Sequence, residues 1–133
     1  MLARDALTGD ARLRVAIAGL IGALAVSAGA YAVHGLAAVR DAHAVGLWQT
    51  ASQYQLMHVA AAVATTLGGH LLHRSFAAVA GWLFLLGAVL FGGALYGLGW
   101  WGPSALGAVA PLGGFSFILG WLFLAAAAVK APR

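Results

Sequence analysis

Polar side chains that could do chemistry are concentrated in one short segment, Tyr54-Gln55-Leu56-Met57-His58. Residues three or four apart lie on the same face of a helix, so Tyr54, Gln55 and His58 can share a face. An imidazole beside a phenol and an amide can form a hydrogen-bonded network, receive a small ligand or ligate a metal. The residues that follow His58 are apolar, so any unpaired polar atom here would be costly in lipid.

Other polar residues stand at the ends of apolar runs that we expect to reach the same depth. Four helices would therefore bring polar groups to one level, in the outer half of a bilayer. The sequence leaves three interpretations open: a purely structural network, a pocket for a lipid headgroup, quinone or similar ligand, and haem held between His34 and His58. The six candidate ligand-binding residues are His34, Tyr54, Gln55, His58, Tyr96 and Ser116.

Most other chemistry finds no support in the sequence. The chain has no cysteine, which removes thiolate metal sites, iron–sulfur clusters and cysteine nucleophiles. No acidic residue lies inside an apolar run, so the residue that usually couples proton or sodium transport is missing. His70 and His73 have a spacing that would suit a metal, but we interpret them as solvated residues at a helix end. We predict no catalytic residue, no metal ligand and no bound cofactor, and favour a non-enzymatic accessory subunit or a small-ligand or lipid binder.

The elements that must position these residues follow from composition. Of 133 residues, 63% are hydrophobic and 8% charged, far from the roughly one quarter charged that is typical of soluble domains. Four apolar runs, at about 13–33, 53–72, 76–98 and 111–129, are each long enough to cross a bilayer. We predict a single all-α membrane domain over 1–133, a four-helix bundle. The polar segment 34–51 predicts a short interfacial helix between spans one and two, and Pro111 is expected in the first turn of span four.

The basic residues indicate an orientation. The two ends of the chain and the turn between spans two and three carry six Lys and Arg, against Arg40 alone in the other two loops. By the positive-inside rule, both termini are expected in the cytoplasm. The net charge of +4 is therefore interpreted as topology, and nucleic acid is not an expected partner. The segment Ala28-Gly29-Ala30 also resembles a signal-peptide cleavage site, but the apolar run continues past it.

Small residues four apart occur in every span, which favours close helix contacts. They predict either packing within one bundle or contact with a second copy or another membrane protein. The sequence does not separate these possibilities, so the expected partners are the bilayer and, beyond it, a membrane protein or a homo-oligomer.

Four motifs resemble those of a family of small four-span membrane proteins. The family includes bacterial YgdD-like proteins and eukaryotic transmembrane protein 256, and its function is unknown. The resemblance covers about Val15 to Ala126 in the same order, with Tyr31-Ala32 and Gly93-Ala94 as departures from the usual pattern. It implies four helices and an inner or organellar membrane, here the bacterial inner (plasma) membrane, and it implies no activity. The motifs are Gly29-Ala30-Tyr31-Ala32-Val33-His34-Gly35-Leu36, Trp48-Gln49-Thr50-Ala51 with Tyr54-Gln55-Leu56-Met57-His58, Phe91-Gly92-Gly93-Ala94-Leu95-Tyr96, and Pro111-Leu112-Gly113-Gly114 with Gly120-Trp121.

Overall fold

A computed structural model describes residues 6–133. Within them the chain is all helical and contains no strand. Arg4, one of the six charges assigned to the cytoplasmic side, lies outside these residues. The four long helices are α1 (Gly9–His34), α2 (Ala42–Leu67), α3 (Arg74–Trp100) and α4 (Leu106–Val129), with short 3-10 turns at Leu36–Ala38 and Gly69–Leu71.

Three of the helices begin at side-chain caps. The Thr8 hydroxyl accepts from the Ala11 N–H at 3.1 Å, and the Asp41 carboxylate accepts from the Ala44 N–H at 2.9 Å. The His73 Nδ1 accepts from the Phe76 N–H at 3.4 Å. Each cap satisfies one of the N–H groups that a helix start leaves without an internal partner. These caps set where α1, α2 and α3 begin.

Helix α3 lies at the centre of the molecule. It packs along α2 on one side and along α4 on the other, while α1 packs mainly on α2. Glycines let α3 and α4 approach closely, because a Cβ at Gly120 would meet the Phe84 ring at 2.7 Å and one at Gly87 would meet the Phe117 ring at 2.5 Å. The aromatic rings of one helix therefore fill the positions where the other helix has no side chain.

The polar segment after α1 does not form a separate surface helix in the described chain. Residues from Ala42 onward belong to α2, which continues without a break through His58. The Trp48 indole N–H donates to the Tyr96 carbonyl at 3.0 Å, and a Cβ at Gly99 would meet Trp48 at 2.6 Å. The first turns of α2 are thus packed against the end of α3, so the predicted interfacial helix is not confirmed.

Pro111 was expected in the first turn of the last span, and that prediction is wrong. Helix α4 already begins at Leu106, so Pro111 lies inside it. The start of α4 is a 3-10-like turn, in which the Leu106 N–H bonds the Pro103 carbonyl at 3.1 Å. Pro111 is the sixth residue of α4, beyond the four positions whose N–H groups lack an internal partner, and it has no N–H to donate to the Gly107 carbonyl.

Three segments are long and apolar enough to cross a membrane: Gly9–Ala38, Arg74–Trp100 and Leu106–Val129. They correspond to α1 with its following turn, α3 and α4. Helix α2 is of similar length but is not among them. Its lower hydropathy reflects the polar residues that form the candidate site.

Candidate functional site

Helix α2 carries a face of polar residues that turns inward. The side chains of Ser52, Gln55, His58, Thr65 and Thr66 are all buried. Two successive spacings of three residues keep Ser52, Gln55 and His58 on one helix face. The polar cluster described below comprises Tyr54, Gln55 and His58 of α2, Tyr96 of α3 and Trp121 of α4.

Gln55 joins α2 to α3 through both ends of its amide. Its Nε2 donates to the Ala88 carbonyl at 3.0 Å, and its Oε1 accepts from the Tyr96 hydroxyl at 2.7 Å. The side chain is 2% exposed and lies directly over Gly92, where any Cβ would collide with the amide. Gly92 is therefore the position on α3 that makes room for Gln55.

His58 is held in one tautomer by its two partners. Its Nδ1 lies 2.7 Å from the Tyr54 carbonyl, which can only accept, so Nδ1 carries the proton. Its Nε2 lies 3.1 Å from the Trp121 indole nitrogen, which can only donate, so Nε2 is an acceptor. Both bonds are possible together only for a neutral imidazole. The ring also stacks on Phe117, with centroids 3.6 Å apart.

Two members of the polar cluster, Tyr54 and Trp121, are exposed on the surface of the bundle. Tyr54 is 42% exposed and Trp121 is 44% exposed, whereas His58 between them is 3% exposed. Tyr54 packs on the Phe91 ring with centroids 4.9 Å apart. The buried imidazole is therefore covered by aromatic rings that contact the surroundings on their other side.

The structure brings four of the six predicted residues together. They form two pairs: Gln55 bonds the Tyr96 hydroxyl of α3, and Tyr54 stacks against His58 within α2. Ser116 is adjacent to Phe117 but donates to the Leu83 carbonyl at 2.7 Å, which ties α4 to α3. His34 lies apart, because its side chain is exposed at the end of α1 and makes no hydrogen bond within residues 6–133.

Sequence reasoning missed two residues that complete this region. Within residues 6–133, Trp121 supplies the only side-chain hydrogen bond to His58, and its position within the Gly120-Trp121 motif was the available signal. Ser52 donates to the Ala25 carbonyl at 2.8 Å and joins α2 to α1. Its spacing of three residues from Gln55 was a second signal. A Cβ at Gly29 would meet the Ser52 oxygen at 2.6 Å, so a glycine again faces a polar side chain.

The chemistry available to these groups is limited. The buried polar side chains of Ser52, Gln55, His58 and Ser116 each have a hydrogen-bond partner. Within residues 6–133 no group of three or more His, Asp or Glu could hold a metal ion. His70 and His73 use their Nδ1 atoms at helix ends, on the Leu67 carbonyl and the Phe76 N–H. The arrangement can link helices to one another. It also holds one hydrogen-bond acceptor, His58 Nε2, which is covered by the half-exposed indole of Trp121.

Length, apolar helices and inward polar groups together define a small helical membrane protein. Residues 28–114 match the family described as Protein of unknown function (DUF423). The chain belongs to this family, as the resemblance of its motifs predicted.

Relatives in other organisms support the same assignment. The chain is 41% identical to the UPF0382 membrane protein YwdK of Bacillus subtilis, over 86% of this chain and 94% of the relative. It is 34% identical to a UPF0382 membrane protein of Haemophilus influenzae, over 84% and 90%. It is 36% identical to the UPF0382 membrane protein C1782.12c of Schizosaccharomyces pombe, over 79% and 92%. No solved structure matches the chain.

Proposed function

We propose that this chain is a non-enzymatic protein of the bacterial inner membrane that crosses it four times and binds a small amphiphile at His58. Among the four proposed spans, α2 is the one that needs a separate argument, because its composition alone does not identify it as a membrane span. Its Ser52, Gln55 and His58 are buried and hydrogen-bonded to neighbouring helices. A helix whose polar groups are satisfied inside the protein can lie in lipid despite a lower hydropathy.

Four spans place both chain ends on one side, which agrees with the distribution of basic residues. Reporter fusions test this directly. A phosphatase or fluorescent reporter after Arg133 should report the cytoplasm, and one inserted after Ser104, in the α3–α4 connection, should report the periplasm. A periplasmic signal after Arg133 would contradict four spans and the proposed orientation together.

The proposed ligand site depends on one observation: the hydrogen-bond partner of His58 Nε2 is a half-exposed side chain. The partners of Gln55 Nε2, Ser116 and His58 Nδ1 are backbone carbonyls, fixed by their helices. Trp121, in contrast, is half-exposed on α4. A ligand hydroxyl or N–H could take the place of the indole N–H without breaking any backbone hydrogen bond. The ligand class is therefore a membrane-soluble molecule with a hydrogen-bond donor in its head.

Native mass spectrometry of protein extracted gently from its own membrane tests this proposal. We expect extra mass corresponding to one small amphiphile in the wild-type protein. His58→Phe keeps a ring against Phe117 but removes the acceptor, so the extra mass should be lost. Trp121→Phe uncovers Nε2, so occupancy should rise. Ser27→Ala, which removes an exposed hydroxyl bonded within its own helix at 2.9 Å, should change nothing.

Other outcomes would overturn the amphiphile proposal. A redox component would be indicated by a bound mass that matches haem, with its visible absorbance, or by one that matches a quinone. That mass would have to be lost in both His34→Ala and His58→Phe. A co-purifying polypeptide without any small molecule would indicate an accessory subunit. A bare chain or homo-oligomer, unchanged in His58→Phe, would assign the polar cluster to structure alone.

A further inference from the structure

A second polar region lies at the opposite end of the bundle from Tyr96. It is a half-open cavity of about 790 Å³ between the start of α1, the end of α2 and the start of α3, called here the basic cavity. Its volume falls within the range usual for ligand pockets, roughly 300–1,000 Å³. No Asp or Glu of residues 6–133 lines it. The polar residues that line it are Thr8, Arg14, Thr65, Thr66, His70, Arg74 and Ser75.

Arg14 is the unusual residue of this cavity. Its residue exposure is 7%, yet its Nε has no hydrogen-bond partner within residues 6–133. Its Nη2 pairs with Asp10 at 2.9 Å, and the other Asp10 oxygen accepts from the Trp82 indole at 3.1 Å. Buried charged groups normally have every donor satisfied, so an arginine that lines a cavity and has one donor unpaired points to a ligand that accepts.

The helix α3 makes specific room for this guanidinium. A Cβ at Gly81 would meet the Arg14 Nη1 at 3.2 Å and the Arg14 Cδ at 3.3 Å. The side chain therefore rests against the backbone of α3 beside the cavity. Thr65 and Thr66 do not compete for the ligand as donors, because their hydroxyls already bond carbonyls of α2 at 2.7–3.0 Å.

The charge of the cavity is positive from three further sources. Arg74 lines it with an exposed side chain. The starts of α1 and α3 both lie at this edge, and each contributes free N–H groups and the positive end of a helix dipole. The end of α2 contributes the opposite dipole, but the Leu67 carbonyl there is bonded by His70. Asp10 offsets part of the Arg14 charge and does not itself line the cavity.

We propose that the basic cavity binds a phosphate group, with Arg14 and Arg74 as its ligands and the start of α3 as a third contact. The positive-inside orientation puts this end at the headgroups of the cytoplasmic leaflet. The phosphate can therefore belong to an anionic lipid headgroup or be free in solution. This proposal rests on the four-span orientation proposed above, but it involves other residues than the His58 site and does not depend on that site.

The test uses the full chain in nanodiscs of mixed phosphatidylglycerol and phosphatidylcholine, with bound lipids counted by native mass spectrometry after release into detergent. We expect the wild-type protein to retain phosphatidylglycerol selectively. Arg14→Gln and Arg74→Gln should each lower that retention about tenfold, the usual effect of one charge-assisted hydrogen bond. Arg12→Gln is the matched control, because Arg12 is exposed on α1 and does not line the cavity.

A second arm distinguishes the two phosphate sources. Thermal unfolding is measured in phosphatidylcholine nanodiscs with inorganic phosphate or with chloride at equal ionic strength. Stabilisation by phosphate, lost in Arg74→Gln, would identify free phosphate as a ligand. Selective retention of phosphatidylglycerol with no phosphate effect would identify the lipid headgroup.

Two results would overturn the proposal. The first is an Arg12→Gln effect equal to those of Arg14→Gln and Arg74→Gln, which would indicate general surface charge. The second is the absence of both lipid selectivity and phosphate stabilisation. Arg74 is exposed, so Arg74→Gln gives a decisive answer even if the buried Arg14 variant unfolds.

Discussion

The polar cluster and the basic cavity differ in how their hydrogen-bonding atoms are used. In the cluster, Gln55 and His58 each bond two partners, and the contacts join three helices. In the cavity, Arg14 is almost as buried as His58 but keeps an unused N–H. Satisfied polar groups stabilise a fold, whereas a cation that lines a cavity and has a donor left over can still take up an anion. The comparison therefore separates the part of the molecule that links helices from the part suited to hold an anion.

The largest expected effect is at the glycine beneath Gln55. Gly92→Ala should lower the free energy of unfolding by about 2–5 kcal/mol, because the new methyl collides with the Gln55 amide and leaves buried polar atoms unpaired. Gly93→Ala is the neighbouring control, since a Cβ there meets nothing within 4 Å. Thermal or denaturant unfolding in detergent measures both. Equal effects at the two glycines would mean that Gln55 is not held as described.

A smaller loss is expected when His58 is truncated. His58→Ala should cost about 1–3 kcal/mol, because it removes a buried partner of Trp121 and the ring that stacks on Phe117. Ser27→Ala should leave the unfolding midpoint unchanged, since that hydroxyl bonds only its own helix. Unchanged stability of His58→Ala in detergent would show that the imidazole does not link α2 to α4.

The smallest effect on stability is expected from Asp10→Asn beside the basic cavity. Unlike the other substitutions, it should strengthen binding. Asp10→Asn removes the negative charge that pairs with Arg14 while preserving an oxygen for Trp82. Arg14 is buried, but Asp10 is 52% exposed and water screens its charge, so we expect a stability change within about 1 kcal/mol. Retention of phosphatidylglycerol should rise severalfold, because Arg14 no longer has a competing anion. Reduced retention would mean that Asp10 is needed to orient Arg14.

The position of the polar residues along each helix was predictable, but their direction around each helix was only partly so. The spacing of four residues between Tyr54 and His58 predicted a shared face, and their rings stack, whereas Gln55 turns to Tyr96 of α3. His34 was expected at the same depth, yet it lies on an exposed part of α1. Hydropathy reports how deep a residue lies and carries no information on which neighbour it faces.

The burial of Arg14 was likewise not predictable from the sequence. In the sequence it counted as one more charge before the first span, and nothing distinguished it from Arg12. The structure places Arg14 on the buried face of α1, opposite Gly81 of α3. A contact between residues so far apart in the chain depends on how α1 and α3 pack. Likewise, Trp121 could be recognised as part of a motif, but its bond to His58 required the packing of α2 beside α4.

The central place of α3 has a consequence for how the chain is made. The ribosome delivers α2 before α3, yet α2 obtains the partners of Gln55 from α3. Until α3 arrives, Gln55 would face lipid with its amide unpaired, an arrangement that membranes disfavour. The two helices are joined by a short connection, so they can leave the translocon together as a hairpin. Stable insertion of α2 into the membrane should therefore require that α3 has already emerged from the ribosome.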